Sequence, residues 1–262
     1  MKSFDEKIAV VLGASAENGT GWAIAEALAE AGAKVVVGAR QMDGLTKLAE
    51  RIDGTPKACD ATSEDQVSAL INTAVQTYGR LDIAINAAGG GVRSLIADIT
   101  PELLERALDL NFRANVYFTR HAAAAMRDGG SIILFSSISA SNTWLPLFAY
   151  ACAKAASDCL VRYAALEYGP RNIRVNSILP GGITSDLGKA FFDIPGVTES
   201  FEKEIPLGRL GHPRDFVNAA LWLAGPAFTT GLNLQINGGH HLNRLPFIDE
   251  MPVGALKPRP PA

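Results

Sequence analysis

The chain is poor in cysteine: Cys59, Cys152 and Cys159 are the three thiols in 262 residues, and no CxxC pair occurs among them. An odd, scattered set of this kind excludes a disulfide framework and a zinc-type ligand pattern, and it fits a reducing cytoplasm with no metal. Clusters of positive charge are missing as well. With 24 Lys and Arg against 27 Asp and Glu, a formal charge of −3, no basic field gathers phosphates, and nucleic acid is not an expected partner. The opening residues MKSFDEKIAVVLG turn apolar only at Ile8 and stay so for five residues, too short for a signal peptide or a membrane span, so no membrane association is expected. Long Gly-, Ser- or Pro-rich linkers and internal repeats are also absent, which leaves room for one folding domain.

What the chain does have is apolar residues, 48% of the total, and 25 glycines, enough for a large core and many tight turns. Short β-branched or apolar runs at 8–12, 35–39, 56–60, 81–86, 131–136, 173–179 and 233–237 alternate with stretches of helical period. Those stretches lie at 21–31, 42–52, 63–78, 101–126, 150–168 and 213–224. Strands that are apolar throughout need cover on both faces, and helices between them supply it. The expected fold is therefore α/β, a single Rossmann-type doubly wound parallel sheet of about seven strands. The domain is expected over 1–240, with an irregular lid at 185–212 and with 241–262 as a tail or arm ending in KPRPPA.

Several residues stand where such a fold gathers ligands. Between the first strand and a helix beginning near Thr20 runs LGASAENGTG, with Gly13, Asn18, Gly19 and Gly21 in or beside the turn. Glycine there lets backbone N–H groups approach a pyrophosphate at the positive end of the helix, although a turn needing φ > 0 for its own sake uses the same residue. After the second strand, Arg40 follows Ala39. A carboxylate at that place binds a ribose hydroxyl, whereas a guanidinium binds a 2′-phosphate, so NADP(H) is favoured over NAD(H) unless Arg40 is a solvated strand end. Asp60 reads either as a cleft residue or as a helix cap preceding TSEDQV. Tyr150 and Lys154 lie four residues apart on one helix face, and a lysine charge beside a phenol favours phenolate. An unperturbed phenol titrates near about 10, too high for efficient proton exchange near neutrality. One such pair is expected by chance about half the time at average residue frequencies, so order and spacing along the chain carry the weight.

In that order and spacing the glycine turn, NAAGG at 86–90, Ser137 at the end of the fifth apolar run and YACAK at 150–154 resemble the short-chain dehydrogenase/reductase family, over residues 5–240. The family's turn is TGxxxGxG. Here Leu12 replaces the threonine, and Gly13-x5-Gly19-x-Gly21 is two residues longer, with Glu17 repulsive toward phosphate if it points inward. The resemblance implies that Ser137 hydrogen-bonds the substrate oxygen, Tyr150 exchanges the proton, and Lys154 tunes Tyr150 and binds the nicotinamide ribose. It implies that Asn111 in DLNFRAN interrupts a helix to hold a water in the proton relay. Further cofactor contacts are implied at Asp60 and Ala61, at Asn86, Ala87 and Gly89, and at Pro180, Gly181, Ile183 and Ser185. Ser136 is the neighbour of Ser137, but alternation along a strand sends the two to opposite faces, and the spacing of 13 residues to Tyr150 selects Ser137.

The activity implied is interconversion of a ketone and a secondary alcohol on a small molecule, without a metal. Trp144, Leu145, Phe191 and Phe192 suggest an apolar substrate, and the same side chains also suit packing. His240 and His241 lack nearby acidic or Cys partners and read as surface residues. Helices 101–126 and 150–168 carry apolar residues beyond the needs of one sheet face, and family members assemble as dimers or tetramers, so a homo-oligomer is expected. Two other readings stand beside this one. An enoyl-thioester reductase fits the longer glycine turn but spaces its tyrosine and lysine by six residues rather than three. A dinucleotide-binding protein without turnover needs no intact Ser137, Tyr150 and Lys154.

Overall fold

A computed structural model describes residues 3–247, 250 and 251. Strands and helices alternate from the start: β1 (Ile8–Leu12), α1 (Thr20–Glu30), β2 (Lys34–Ala39), α2 (Met42–Ile52), β3 (Thr55–Ala58), α3 (Glu64–Tyr78) and β4 (Ile83–Asn86). The second half continues with α4 (Pro101–Leu108), α5 (Ala114–Ala125), β5 (Gly130–Phe135), α6 (Phe148–Tyr168), β6 (Ile173–Pro180), α7 (Asp186–Phe192), α8 (Val197–Glu202), α9 (Val217–Ala224) and β7 (Asn233–Ile236). All seven strands are parallel, in the order β3-β2-β1-β4-β5-β6-β7. This is the doubly wound Rossmann-type sheet the alternation of runs predicts.

The strands read as apolar throughout because successive side chains enter two different cores. Val10, Leu12, Val36, Ala84, Ile132 and Leu134 pack against Leu70 and Ile71 of α3, Phe118 of α5 and Val161 of α6. Their neighbours Ala9, Val11, Val35, Val37, Ile83, Ile85 and Ile133 pack against Ile24 and Leu28 of α1, Leu45 and Leu48 of α2 and Leu223 of α9. Each fully buried Val, Leu or Ile contributes about 1.5–3 kcal/mol relative to exposure, and a period of two sends half the set to each face. At the lower edge, Asp82 accepts bonds from the Ile8 N–H, Lys7 and Arg80, which fixes β1 beside β4.

That pairing matters for function. The chain leaves β1 toward β2 on one side and returns to β4 on the other, and ligands of open α/β sheets bind in the crevice at such a reversal.

The helix stretch 101–126 is interrupted by a π-helical turn at Asp109–Arg113, centred on Asn111, where the family resemblance implies an interruption. The structure departs from the sequence reading in three places. The region 185–212 contains the two short helices α7 and α8, whose Phe191, Val197 and Phe201 share a core with Ile205 and Leu210. The described part of the expected tail is docked rather than free: Leu245 and Met251 join that same core, and the Trp144 indole donates to the Pro246 carbonyl at 2.8 Å. His240, read as a surface residue, is 0% exposed and stacks edge-on to Phe201. In each case the deciding contact is distant in sequence, so local composition could not announce it. Among the described residues no helix is long and apolar enough to cross a membrane, and no group of three potential metal ligands occurs.

Candidate active site

At the carboxyl ends of β1, β2, β4, β5 and β6 lies a cleft of about 900 Å³. Its floor begins at the glycine turn. Gly13 has φ +90°, and a Cβ there would stand 2.6 Å from the Ala88 amide nitrogen, so this turn closes against the loop after β4 only with glycine. A Cβ on Gly21 would stand 2.4 Å from the Gly13 carbonyl oxygen, so α1 starts directly under the turn. Gly19 caps α1 with no side-chain hydrogen bond, and no acidic residue sits in the first turn, which leaves the positive helix end open toward the cleft.

The two extra residues of the turn are accommodated outward. Ser15 and Ala16 line the cleft, and the Ser15 hydroxyl donates to the Gln41 side chain at 3.1 Å. Glu17 points away from the cleft and pairs with Lys47 at 2.6 Å, which removes the feared repulsion. Asn18, expected to bind cofactor, is turned off the wall and donates to Asp186 of α7 at 3.3 Å. The lengthened turn therefore reaches across to the lid.

Farther along the wall lie Arg40, Asp60 and Ala61. Asp60 lines the cleft and does not cap α3, whose N-cap is Ser63; its carboxylate instead closes a local turn, accepting from the Thr62 N–H at 2.9 Å and the Thr62 hydroxyl at 2.8 Å. The Thr62 amide holds the Asp60 carboxyl below the usual range, and the Arg40 charge adds a smaller push in the same direction.

Two of the expected asparagines work behind the wall instead of on it. Asn86 is fully buried, donating to the Asn115 side chain at 2.8 Å and accepting from the Ala88 N–H at 3.0 Å, while Ala87, Ala88 and Gly89 face the cleft. Asn111 is fully buried too; its amide donates to Gly90 and Ala107 carbonyls at 3.0 Å each and its side-chain oxygen accepts from the Gly90 N–H at 3.1 Å. Its own carbonyl accepts the Ser157 hydroxyl at 2.6 Å and the Asn115 amide at 3.1 Å. These bonds explain the π turn, because a widened turn lets one residue tie α4 to the Gly90 loop. Asn115 and Ser157 went unnoticed in the sequence; helical spacing from Asn111 and Lys154 was the available signal.

Ser137, Tyr150 and Lys154 meet at the centre of the cleft. Ser137 follows β5, and its Oγ accepts from the Ser139 N–H at 3.1 Å. Burial pushes the Tyr150 phenol up, with a hydrogen bond from Ser137 pulling it back, although part of the ring keeps contact with the cleft. Lys154 donates to the Phe135 carbonyl at 2.7 Å, and its Nζ stands 5.7 Å from the Tyr150 ring centroid. Burial pushes the lysine down to about 8, opposed by the Asp158 carboxylate. A Cβ on Gly89 would lie 3.2 Å from the Lys154 Nζ, so the glycine leaves that ammonium room to reach the cleft. Ser136 also borders the cleft, but its hydroxyl donates to the Lys154 carbonyl at 3.4 Å.

On the far side, Pro180, Gly181, Ile183 and Ser185 line the cleft as expected. The candidate substrate residues do not. Trp144, Phe191, Phe192 and Phe201 interlock edge to face, with Trp144 to Phe191 at 5.7 Å and Phe191 to Phe192 at 5.1 Å, while Leu145 is 48% exposed. Stacking against each other and against Leu245 satisfies these rings better than an open wall, so they form the base of the lid. The donor set of the cleft suits a dinucleotide: glycine amides at an uncapped helix end for a diphosphate, a guanidinium at the rim, and a buried lysine beside a phenol.

A family model described as "Enoyl-(Acyl carrier protein) reductase" matches residues 13–241. The 7alpha-hydroxysteroid dehydrogenase of Escherichia coli K12 is 37% identical over 244 residues, covering 90% of this chain and 94% of the relative. Versicolorin reductase of Emericella nidulans is 34% identical over 255 residues, covering 90% and 96%. A solved short-chain type dehydrogenase/reductase from Mycobacterium ulcerans superposes with a TM-score of 0.90 at 32% identity, covering 96% of this chain and 95% of that one.

Proposed function

The chain belongs to the short-chain dehydrogenase/reductase family, and from that premise we propose that it interconverts a ketone and a secondary alcohol on an apolar, fused-ring small molecule, with NADP(H) as partner. One observation carries the reading: the Ser137 hydroxyl, the Tyr150 phenol and the Lys154 ammonium converge in one cleft beside an uncapped helix end. The dinucleotide, when bound, supplies the hydride donor or acceptor.

The chain's own groups do the rest. Of the residues lining the cleft, Gly13, Gly19, Thr20 and Gly21 would hold the diphosphate, Arg40 the 2′-phosphate, Asp60 and Ala61 the adenine, and Pro180, Gly181, Ile183 and Ser185 the nicotinamide amide. Ser137 orients the substrate oxygen by a hydrogen bond. Tyr150 gives its proton to that oxygen in reduction and takes it back in oxidation. Lys154, charged below about 8, stabilises the phenolate that remains. Asn86 and Asn111 act indirectly, the first by shaping the Ala87–Gly89 wall and the second by anchoring Gly90. No metal takes part in this scheme.

The substrate class is supported by relatives named for hydroxysteroids, hydroxynaphthalenes and versicolorin, all ring systems. Exposed Tyr163 and Leu166 on α6 and Trp222 on α9 support assembly into a dimer or tetramer, and the cysteine usage supports a cytoplasmic location. The family model's description and the long turn favour a second reading, reduction of an enoyl thioester.

The test is a panel of steroid and polycyclic ketones and alcohols with NADPH and NADH, run beside a crotonyl thioester. Ketone turnover that falls at least about 1000-fold in Tyr150→Phe, with NADPH binding retained, is expected. Thioester reduction exceeding ketone reduction would replace this reading with the second, and NADPH binding without any turnover would leave only a dinucleotide-binding protein.

A further inference from the structure

The glycine turn is longer than a diphosphate-binding turn of this family requires, and its extra length is spent on contacts outside the cleft. Ser15, Ala16 and Gly19 line the cleft, while Glu17 and Asn18 between them do not. Each polar side chain from Ser15 to Asn18 is bonded to another element. Ser15 donates to Gln41 just beyond β2 at 3.1 Å, Glu17 pairs with Lys47 of α2 at 2.6 Å, and Asn18 donates to Asp186, the first residue of α7, at 3.3 Å.

The two sides of this span are seated firmly. On one side α2 lies directly against the turn, since a Cβ on Gly44 would stand 2.1 Å from the Ser15 carbonyl oxygen. On the other side the neck of the lid is stitched shut: the Thr184 N–H donates to the Gly211 carbonyl at 2.8 Å, and the Gly211 N–H donates to the Gly182 carbonyl at 2.9 Å. Asn18 and Asp186 are both exposed, whereas their chain neighbours Gly19 and Ser185 line the cleft. Their bond therefore joins the two rims across the mouth. Among the described residues no other hydrogen bond links the turn to α7.

We propose that Asn18 and Asp186 form a latch over the cleft mouth, one that opens whenever a dinucleotide enters or leaves. This rests on the reading of the cleft as a dinucleotide site. A hydrogen bond between exposed side chains nets little because water competes for both groups, so the latch slows exchange by a small factor and does not seal the cleft. Its kinetic signature is specific. A latch that closes equally well over an empty and a filled cleft slows entry and exit by the same factor and leaves affinity unchanged, whereas a residue that touches the ligand changes exit and affinity together. The Asp186 carboxylate has a second effect, since its charge repels an anionic ligand at the mouth, and the test separates the two.

The test is stopped-flow fluorescence with the full chain and NADPH, association being followed on mixing and dissociation by displacement with excess NADP+. Asn18→Ala and Asp186→Ala are each expected to speed both steps by about 3-fold or more, with Kd within about 2-fold of the parent. The double variant should be no faster than the faster single one, because both remove the same bond. Asp186→Asn drops the charge but keeps an accepting oxygen, and should recover most of the parent's rates. Parent rates in both alanine variants overturn the latch. So does faster dissociation with a matching loss of affinity, which makes Asn18 a ligand contact. Equal acceleration in Asp186→Asn and Asp186→Ala, with Asn18→Ala at parent rates, assigns the effect to charge and overturns it as well. A parent chain that binds neither NADPH nor NADH overturns the cleft reading and the latch with it, an outcome distinct from failure of the latch alone, in which binding persists.

Discussion

Replacing Arg40 by alanine separates the two dinucleotides. Arg40 sits exposed on the cleft rim at the end of β2, where no carboxylate side chain stands in its place to bind a ribose hydroxyl. A guanidinium holding a phosphate makes charge-assisted hydrogen bonds worth about 1.5–3 kcal/mol over the free group. Solvent exposure favours the lower part of that range. Since about 1.4 kcal/mol is tenfold in affinity, Arg40→Ala should weaken NADPH by about 10- to 30-fold. NADH lacks the phosphate and should change by less than about 2-fold, because the remaining wall from Ser15 to Ala61 is untouched. Arg40→Lys should fall between, as a point charge replaces a planar fork. Fluorescence titration with both dinucleotides, repeated at low and high salt, reads the effect, and the NADPH difference should shrink as salt rises. Equal loss for NADPH and NADH, or none for NADPH, would refute the phosphate clamp.

Other expectations follow from particular contacts. Gly44 lies inside α2, where alanine is normally better by about 1 kcal/mol. Here its Cβ would stand 2.1 Å from the Ser15 carbonyl oxygen, a backbone atom that cannot swing away. Overlap should win: Gly44→Ala is expected to lose about 1–3 kcal/mol and to weaken dinucleotide binding by shifting Ser15, whereas a raised Tm would contradict it. His240 is buried and held below its usual protonation range, first by burial, with the Arg244 backbone and Glu204 opposing. The unfolded chain binds the extra proton below about 6.5, so stability falls as pH drops through that value toward the lower folded midpoint. His240→Gln should flatten the Tm profile between about pH 7 and 5 relative to the parent, and an unchanged slope would assign the acid sensitivity elsewhere.

The order and type of the main elements were legible in the sequence because period is a local property. A run such as IAVVL followed by a turn and an amphipathic helix states strand and helix without reference to the rest of the chain. Tyr150 and Lys154 were legible as one helix face, the resemblance to the family singled them out together with Ser137, and the structure places all three on one cleft. Partners were not legible. Asn86 was read as a cofactor contact and Asn111 as the holder of a relay water, and Asn115, Ser157 and the Gly90 loop supply the hydrogen-bond partners of their side chains and of the Asn111 carbonyl. Trp144 and Phe191 were read as a substrate wall, yet Phe201 and Leu245 arrive from α8 and the carboxyl-terminal stretch and take their faces. His240 was read as exposed until the lid core closed over it. Sequence by itself determined a doubly wound sheet with a phenol and a lysine at its crevice. Tertiary structure decided which polar groups are free to meet a ligand, because a buried donor or acceptor must be satisfied by whatever the fold brings to it, and that is set across the whole chain.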